Sequence, residues 1–231
     1  DKFLAKKLIR DSFPLLLSSI AIMIYMRIDQ VMIKNMLGDR EVGLYSTAVK
    51  LVEIWYFIPT IITSSLFPAI VKAKKISEEL YYNRLLMLFS LMVWIAILIA
   101  LPTTFLSDHI ITFLYGAEYF EAAEVLSLGI WAGVFVFLGV ARSQWIVAEN
   151  LQKYVNIYII GGMLVNLIGN YLLIPDFGIF GAAYATLFSQ CIGTLIIPFF
   201  IKNTRVSFYL MVKSPFYPEV SPPVKTIFKK K

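Results

Sequence analysis

Residues 85–102 read LLMLFSLMVWIAILIALP, eighteen residues without a charge. A helix that crosses the hydrocarbon core of a bilayer needs about 20 mainly apolar residues. A second run of the same kind, IFGAAYATLFSQCIGTLIIPFF, fills 179–200. Barrel strands would be about ten residues of alternating polarity, whereas these runs are longer and apolar on every face. A lone strand cannot satisfy its backbone in lipid, so helices are the reading.

Composition extends this to the whole chain. Of 231 residues, 59% are hydrophobic and 16% charged, and the mean hydropathy is +0.75. A soluble domain carries about 25% charged residues, and one core could not hide this much apolar surface. The chain therefore reads as an all-α integral membrane bundle of about six transmembrane helices. The spans fall near 12–34, 44–71, 81–106, 122–148, 153–174 and 178–201, within one lobe covering 1–205. The connections are short. EVG (41–43) is expected to close the first hairpin and PDFG (175–178) to join the last two spans through a Pro-and-Gly turn. Only 102–121 is long enough to hold a small interfacial segment, LSDHIITFLYG.

Orientation follows from Lys and Arg. Seventeen lie on one side, among them Lys72, Lys74, Lys75, Arg84, Lys153 and Lys202, and only Lys34 and Arg40 lie on the other. The basic side is cytoplasmic by the positive-inside rule, so both termini are expected there. Residues 206–231 form a basic tail. VSFYLMVK (206–213) is suited to a short amphipathic piece in the interface. The Pro-rich remainder reads as disordered, with terminal lysines that could meet anionic headgroups. The chain begins at Asp1, not Met, and an upstream portion is expected.

Charges inside the membrane carry the functional information. Span one reads IAIMIYMRIDQVMIKNML (20–37), with Arg27 and Asp29 well inside it; span two reads YSTAVKLVEIWYFIP (45–59), with Lys50 and Glu53. Measured from a hairpin tip at Gly38 to Gly43, all four lie roughly 10 to 17 Å deep. Arg27 and Asp29, at i and i+2, point roughly 200° apart, so one is expected to face a cavity while the other pairs across the hairpin. Two readings stand: a structural ion-pair network, or a cavity that attracts an anionic substrate. Asn166 and Asn170, at i and i+4 on span five, fit interhelical hydrogen bonding or substrate contact. Arg142, near the end of span four, reads as interfacial. Pro59 should kink span two.

Other chemistry finds no support. His109 is the only histidine and Cys191 the only cysteine, so no metal site, zinc included, is expected. There is no P-loop, nucleophile elbow or HExxH. No cofactor is implied, an enzyme is not expected, and no basic cluster interleaved with aromatics suggests nucleic acid.

The run PLLLSSIAIMIYMRIDQVMIKNMLGDREVGLYSTAVKLVEIWYFIPTIITSSLFPAIVKAKK (14–75) resembles polysaccharide-export flippases of the Wzx type, in the multidrug/oligosaccharidyl-lipid/polysaccharide exporter superfamily. The pattern Arg27-x-Asp29-x-x-Met32, Gly43-x-Tyr45-Ser46, Glu53 and Leu66-Phe67-Pro68 looks like the start of that family's second lobe. The resemblance is dense over 8–75 and looser over 76–205. It implies two six-helix lobes and alternating access. It further implies transfer of lipid-linked oligosaccharide across the bacterial inner membrane for surface polysaccharide, lipopolysaccharide included. This chain would be the C-terminal half, and its missing N-terminal lobe is the implied partner. Arg27, Asp29, Lys50 and Glu53 are the candidate headgroup contacts. Membrane lipids and other polysaccharide-assembly membrane proteins are further expected partners. A multidrug or cation exporter of the same superfamily, and a non-transporting membrane scaffold, are the alternatives.

Overall fold

The computed structural model of the chain describes residue 23 and residues 26–217. All regular structure among the described residues is helical. The first part of span one and the Pro-rich end of the tail lie outside them.

Helix α1 occupies 26–37. Gly38 ends it at φ 105°, a conformation glycine takes without strain, and its N–H bonds to the Ile33 and Lys34 carbonyls at 3.3 and 3.1 Å. Helix α2 (Asp39–Glu53) starts at once, with Asp39 and Glu41 in its first turn, where free N–H groups favour acids. The expected closure at 41–43 is thus corrected. EVG is already helical, because the reversal needs a positive φ, and Gly38 supplies it.

Pro59 has no N–H to offer the Trp55 carbonyl. The chain tightens one turn earlier into a 3₁₀ segment, Ile54–Tyr56, before α3 (Phe57–Ile76). Helix α4 runs Glu78–Tyr115, capped by Ser77 Oγ, which accepts from the Leu80 N–H at 3.1 Å. Its 38 residues span about 57 Å, well beyond the ~30 Å hydrocarbon core. LSDHIITFLYG is therefore no separate interfacial segment. It forms the last turns of α4, which buried Ser107 and Ile111 pin to the bundle.

Helix α5 (Ala122–Ala148) follows. Helix α6 (Val155–Cys191) breaks at Gly178, with φ 58° and ψ −138°. Gly169 approaches Ala185, and Gly181 approaches Leu173. Those pairings centre on residue 177, so the two halves fold back as an antiparallel hairpin, as the Pro-and-Gly turn predicts. A π-helical segment (Ile192–Ile196), α7 (Ile197–Phe200), α8 (Arg205–Lys213) and a 3₁₀ segment (Ser214–Phe216) follow. Four described segments are long and apolar enough to cross a membrane: Asp39–Ile76, Glu78–Tyr115, Ala122–Ala148 and Gln152–Phe200. The last is 49 residues long and holds two passes about Gly178.

The bundle has chemically distinct ends. At one end, Lys74 meets Glu149 at 2.9 Å and the Ala148 carbonyl at 2.6 Å, and Tyr81 donates to Glu149 at 2.8 Å. These bonds tie α3, α4 and α5 together. At the other end, Arg40 meets Glu121 at 3.0 Å. Two apolar clusters lie along the bundle. Phe89, Met92, Phe137 and Trp145 belong to one; Ile33, Tyr45, Leu126 and Ile179 belong to the other. The 206–213 stretch forms α8 and buries Leu210 and Met211 in the first cluster, so it docks on the bundle.

Candidate functional site

The intramembrane charges of the first hairpin part company. Asp29 is buried between α1, α2 and the folded-back α6. Its Oδ2 accepts from Tyr45 Oη at 2.8 Å and from Thr186 Oγ1 at 2.9 Å. Asn166 Nδ2 donates to Thr186 Oγ1 at 3.2 Å, and Asn170 Nδ2 donates to Asn166 Oδ1 at 3.2 Å. Every donor in this chain points toward Asp29. Asp29 forms no ion pair among the described residues. Asp29 Oδ1 and Asn170 Oδ1 are buried without a hydrogen-bond partner among them.

The local fold explains the convergence. Antiparallel pairing of α1 with α2 about Gly38 sets Asp29 opposite Tyr45. The Gly178 hairpin sets Asn166 opposite Thr186. Small residues of α5, Gly129 and Ala132, floor a cavity of about 70 Å³ that Asp29, Tyr45, Glu53, Asn166 and Thr186 also line. It has room for a few waters or one small ion.

Arg27 takes the other direction. Its Nη2 lies 3.2 Å from Glu53 Oε2, with the two side chains 51% and 23% exposed. Lys50 is exposed and forms no ion pair among the described residues. Counted from the observed turn at Gly38, Lys50 and Glu53 lie roughly 18 and 22 Å along α2, deeper than the 41–43 closure implies. Arg27 and Lys50 thus lie on the open side of the hairpin, apart from the buried cluster of Asp29, Asn166 and Asn170, and Glu53 links the two by pairing with Arg27 while lining the cavity. Among the described residues, no group of three or more His, Cys, Asp or Glu could hold a metal.

The sequence reading passed over two cluster members. Tyr45 lies inside the quoted motif, which carries no sign that its hydroxyl meets Asp29. Thr186 was one hydroxyl in an Ala-rich span, and its signal was a polar residue facing the Asn166 register across the Gly178 turn. Arg142 is corrected outright. It is 8% exposed rather than interfacial, because two backbone carbonyls of the π segment draw it inward.

The half-exposed Arg27–Glu53 pair permits a direct test. In this geometry the two residues stabilise each other by about 0.2–1 kcal/mol. Arg27→Glu should therefore lower accumulation modestly, and Arg27→Glu with Glu53→Arg should restore it. A swap no better than either single change would show that the pair is not coupled.

These elements describe a multi-pass membrane bundle with a buried polar cluster at its centre. A family of sequences described as polysaccharide biosynthesis proteins matches residues 2–74. The chain is 26% identical over 198 residues to the capsular polysaccharide biosynthesis protein CapF of Staphylococcus aureus, covering 83% of this chain and 49% of that one. It is 26% identical over 183 residues to a probable low-salt glycan biosynthesis flippase, Agl15, of Haloferax volcanii, covering 78% of this chain and 38% of that one. It is 27% identical over 183 residues to a probable flippase, AglR, of the same organism, covering 75% and 37%. No solved structure matches significantly. The chain spans about half or less of the length of these relatives. The matches bear out the resemblance read from the first hairpin: the chain is similar to polysaccharide biosynthesis proteins and to probable flippases.

Proposed function

We propose that this chain forms one half of a transporter that moves lipid-linked oligosaccharide across the bacterial inner membrane for surface polysaccharide, with its basic end in the cytoplasm. The observation that carries this reading is the buried Asp29 cluster around a water-sized cavity, in a relative of flippases. A buried carboxylate in a membrane bundle is costly unless function retains it. Burial divides the labour. Arg27 and Lys50, on the open side with Arg27 paired to Glu53, suit the anionic headgroup. Asp29, with Asn166 and Asn170, suits a proton or a small cation and supplies a charge-dependent step.

Alternating access then needs two states that bind the small ion differently, since a ligand shifts an equilibrium only by its differential affinity. Gain or loss of charge at Asp29 changes what Tyr45 and Thr186 hold, and so biases how α1 and α2 seat against α6. The preceding lobe supplies the other wall of the headgroup site.

A buried acid without a cationic partner also fits cation exchange by a multidrug exporter. The polysaccharide and glycan names of the relatives weigh against that reading. Deleting the native gene separates the two. The flippase reading expects surface polysaccharide to be lost and lipid-linked intermediates to accumulate, with both restored by the full-length gene. Intact polysaccharide together with a new drug sensitivity would overturn it in favour of export.

A further inference from the structure

Arg142 is a second buried charge, and the polar cluster does not use it. It forms no ion pair among the described residues. Its Nη1 donates to the Gly193 carbonyl at 3.1 Å and to the Thr194 carbonyl at 2.7 Å. The guanidinium stacks 4.4 Å from the Tyr158 ring centre.

Those two carbonyls are the ones that have lost their α-helical backbone donors. The segment Ile192–Ile196 is π-helical, and the Ile197 N–H bonds to the Ile192 carbonyl. Ile197 is the donor that Gly193 would have in an α-helix, so Gly193 loses it. The α-helical donor for Thr194 would be residue 198, which is Pro198 and has no N–H. In lipid no water can replace these bonds. Arg142, reaching across from α5, takes both. Nearby, Thr194 Oγ1 donates to the Phe135 carbonyl at 3.3 Å, so α5 holds the bulge at two points.

The bulge has an alternative register. If Ile197 returned its N–H to Gly193, the segment would be α-helical, and everything after it would turn by about 100° relative to α6. The α6 residues before the bulge, Thr186 and Gln190, line the cavity. The residues after it lead into α8, which is docked on the bundle. Arg142 favours the π register because that register exposes both carbonyls to it.

We propose that Arg142 is a positioning residue that clasps a two-register hinge at 192–198 and fixes how the Thr186–Gln190 wall sits relative to α7 and α8. The hinge stands on the backbone geometry alone; its use in transport rests on the function proposed above.

The test is a distance measurement in the full-length protein, reconstituted in lipid in a cysteine-free background. Spin labels go at Tyr184→Cys and Tyr209→Cys, both on exposed positions. The protein with Arg142 intact should give one narrow distance. Pro198→Ala alone should keep it, because the clasp still holds. Arg142→Met with Pro198→Ala gives Thr194 a backbone donor in the α register. That variant should accumulate and give a narrow distance displaced on the order of 5 Å, the arc of a one-residue turn on a helix surface. Arg142→Met alone should broaden or displace the distance. If it does not accumulate, the double variant carries the test. An undisplaced distance in the double variant overturns the proposal. So does failure of the double variant to accumulate when Pro198→Ala alone accumulates, because Arg142 would then serve something other than these carbonyls. None of these readouts depends on the transported substrate.

Discussion

Asp29→Asn is expected to leave accumulation and membrane insertion of the full-length protein unchanged while lowering surface polysaccharide by more than about tenfold, a change of roughly 1.4 kcal/mol in the affected step. The isosteric amide keeps an oxygen where Tyr45 and Thr186 donate, at 2.8 and 2.9 Å in the native cluster. The fold therefore loses little. What it loses is the second charge state. A step driven by binding a proton or a cation needs a group whose charge changes, and an amide has only one. Asp29→Leu behaves differently. The Tyr45 and Thr186 hydroxyls lie 3.4 Å apart and can bond to each other, so the change leaves one hydroxyl without an acceptor, at about 1–3 kcal/mol, and accumulation should fall along with function. Quantitative immunoblotting of membranes beside a polysaccharide assay separates the two effects. Wild-type polysaccharide with Asp29→Asn would remove Asp29 from any charge-dependent step, and the cluster would then be a structural network alone.

How much of this was legible in the sequence differs by element. The run 85–102 announces a membrane helix through composition alone, because no soluble core could take it. Asp29 announces itself because ionised groups are rare in such runs. The i, i+2 offset from Arg27 already separates their directions, and the structure shows Arg27 with Glu53 and Asp29 inward. Gly178 follows Pro175 in a pattern that only a turn explains. The turn at Gly38 was harder, because Gly43 offers the same residue type five positions on. Only the backbone dihedral decides between them. The partners of Asp29 were harder still. Tyr45 and Thr186 are 141 residues apart in the chain, and a hydroxyl in an apolar span carries no mark of which helix it will face. Arg142 was misplaced for a related reason. Its partners are backbone carbonyls freed by a π segment and a proline, so no side chain in the sequence points to them.

Gly181→Ala is expected to be the most damaging single methyl addition in the chain. A Cβ at this position would overlap the Leu173 carbonyl oxygen and lie 2.5 Å from its carbon and 2.9 Å from the Ile174 nitrogen. All three are backbone atoms of the other half of the α6 hairpin, so no rotamer change relieves the contact and the hairpin itself must open. Overpacking of a well-filled interior costs about 1–3 kcal/mol and sometimes more, and a backbone obstacle puts this case at the upper end. Gly161 is the contrasting case, since its added methyl would meet only the end of the Ile197 side chain, which can swing away. Gly43 has nothing within 4 Å, and Gly43→Ala should raise helix stability by about 0.5–1 kcal/mol. Opening the Gly181 contact also separates Asn166 from Thr186, which face each other across the same hairpin. Gly181→Ala should therefore lose stability and function together, with the folded-to-unfolded ratio after detergent extraction reduced more than about tenfold. Asp29→Asn should lose function alone. Thermal unfolding of the extracted protein orders the three glycine variants directly. A Gly181→Ala protein as stable as Gly43→Ala would mean that the two halves of α6 do not pack this closely in the membrane, and the meeting of Thr186 with Asp29 would lose its scaffold.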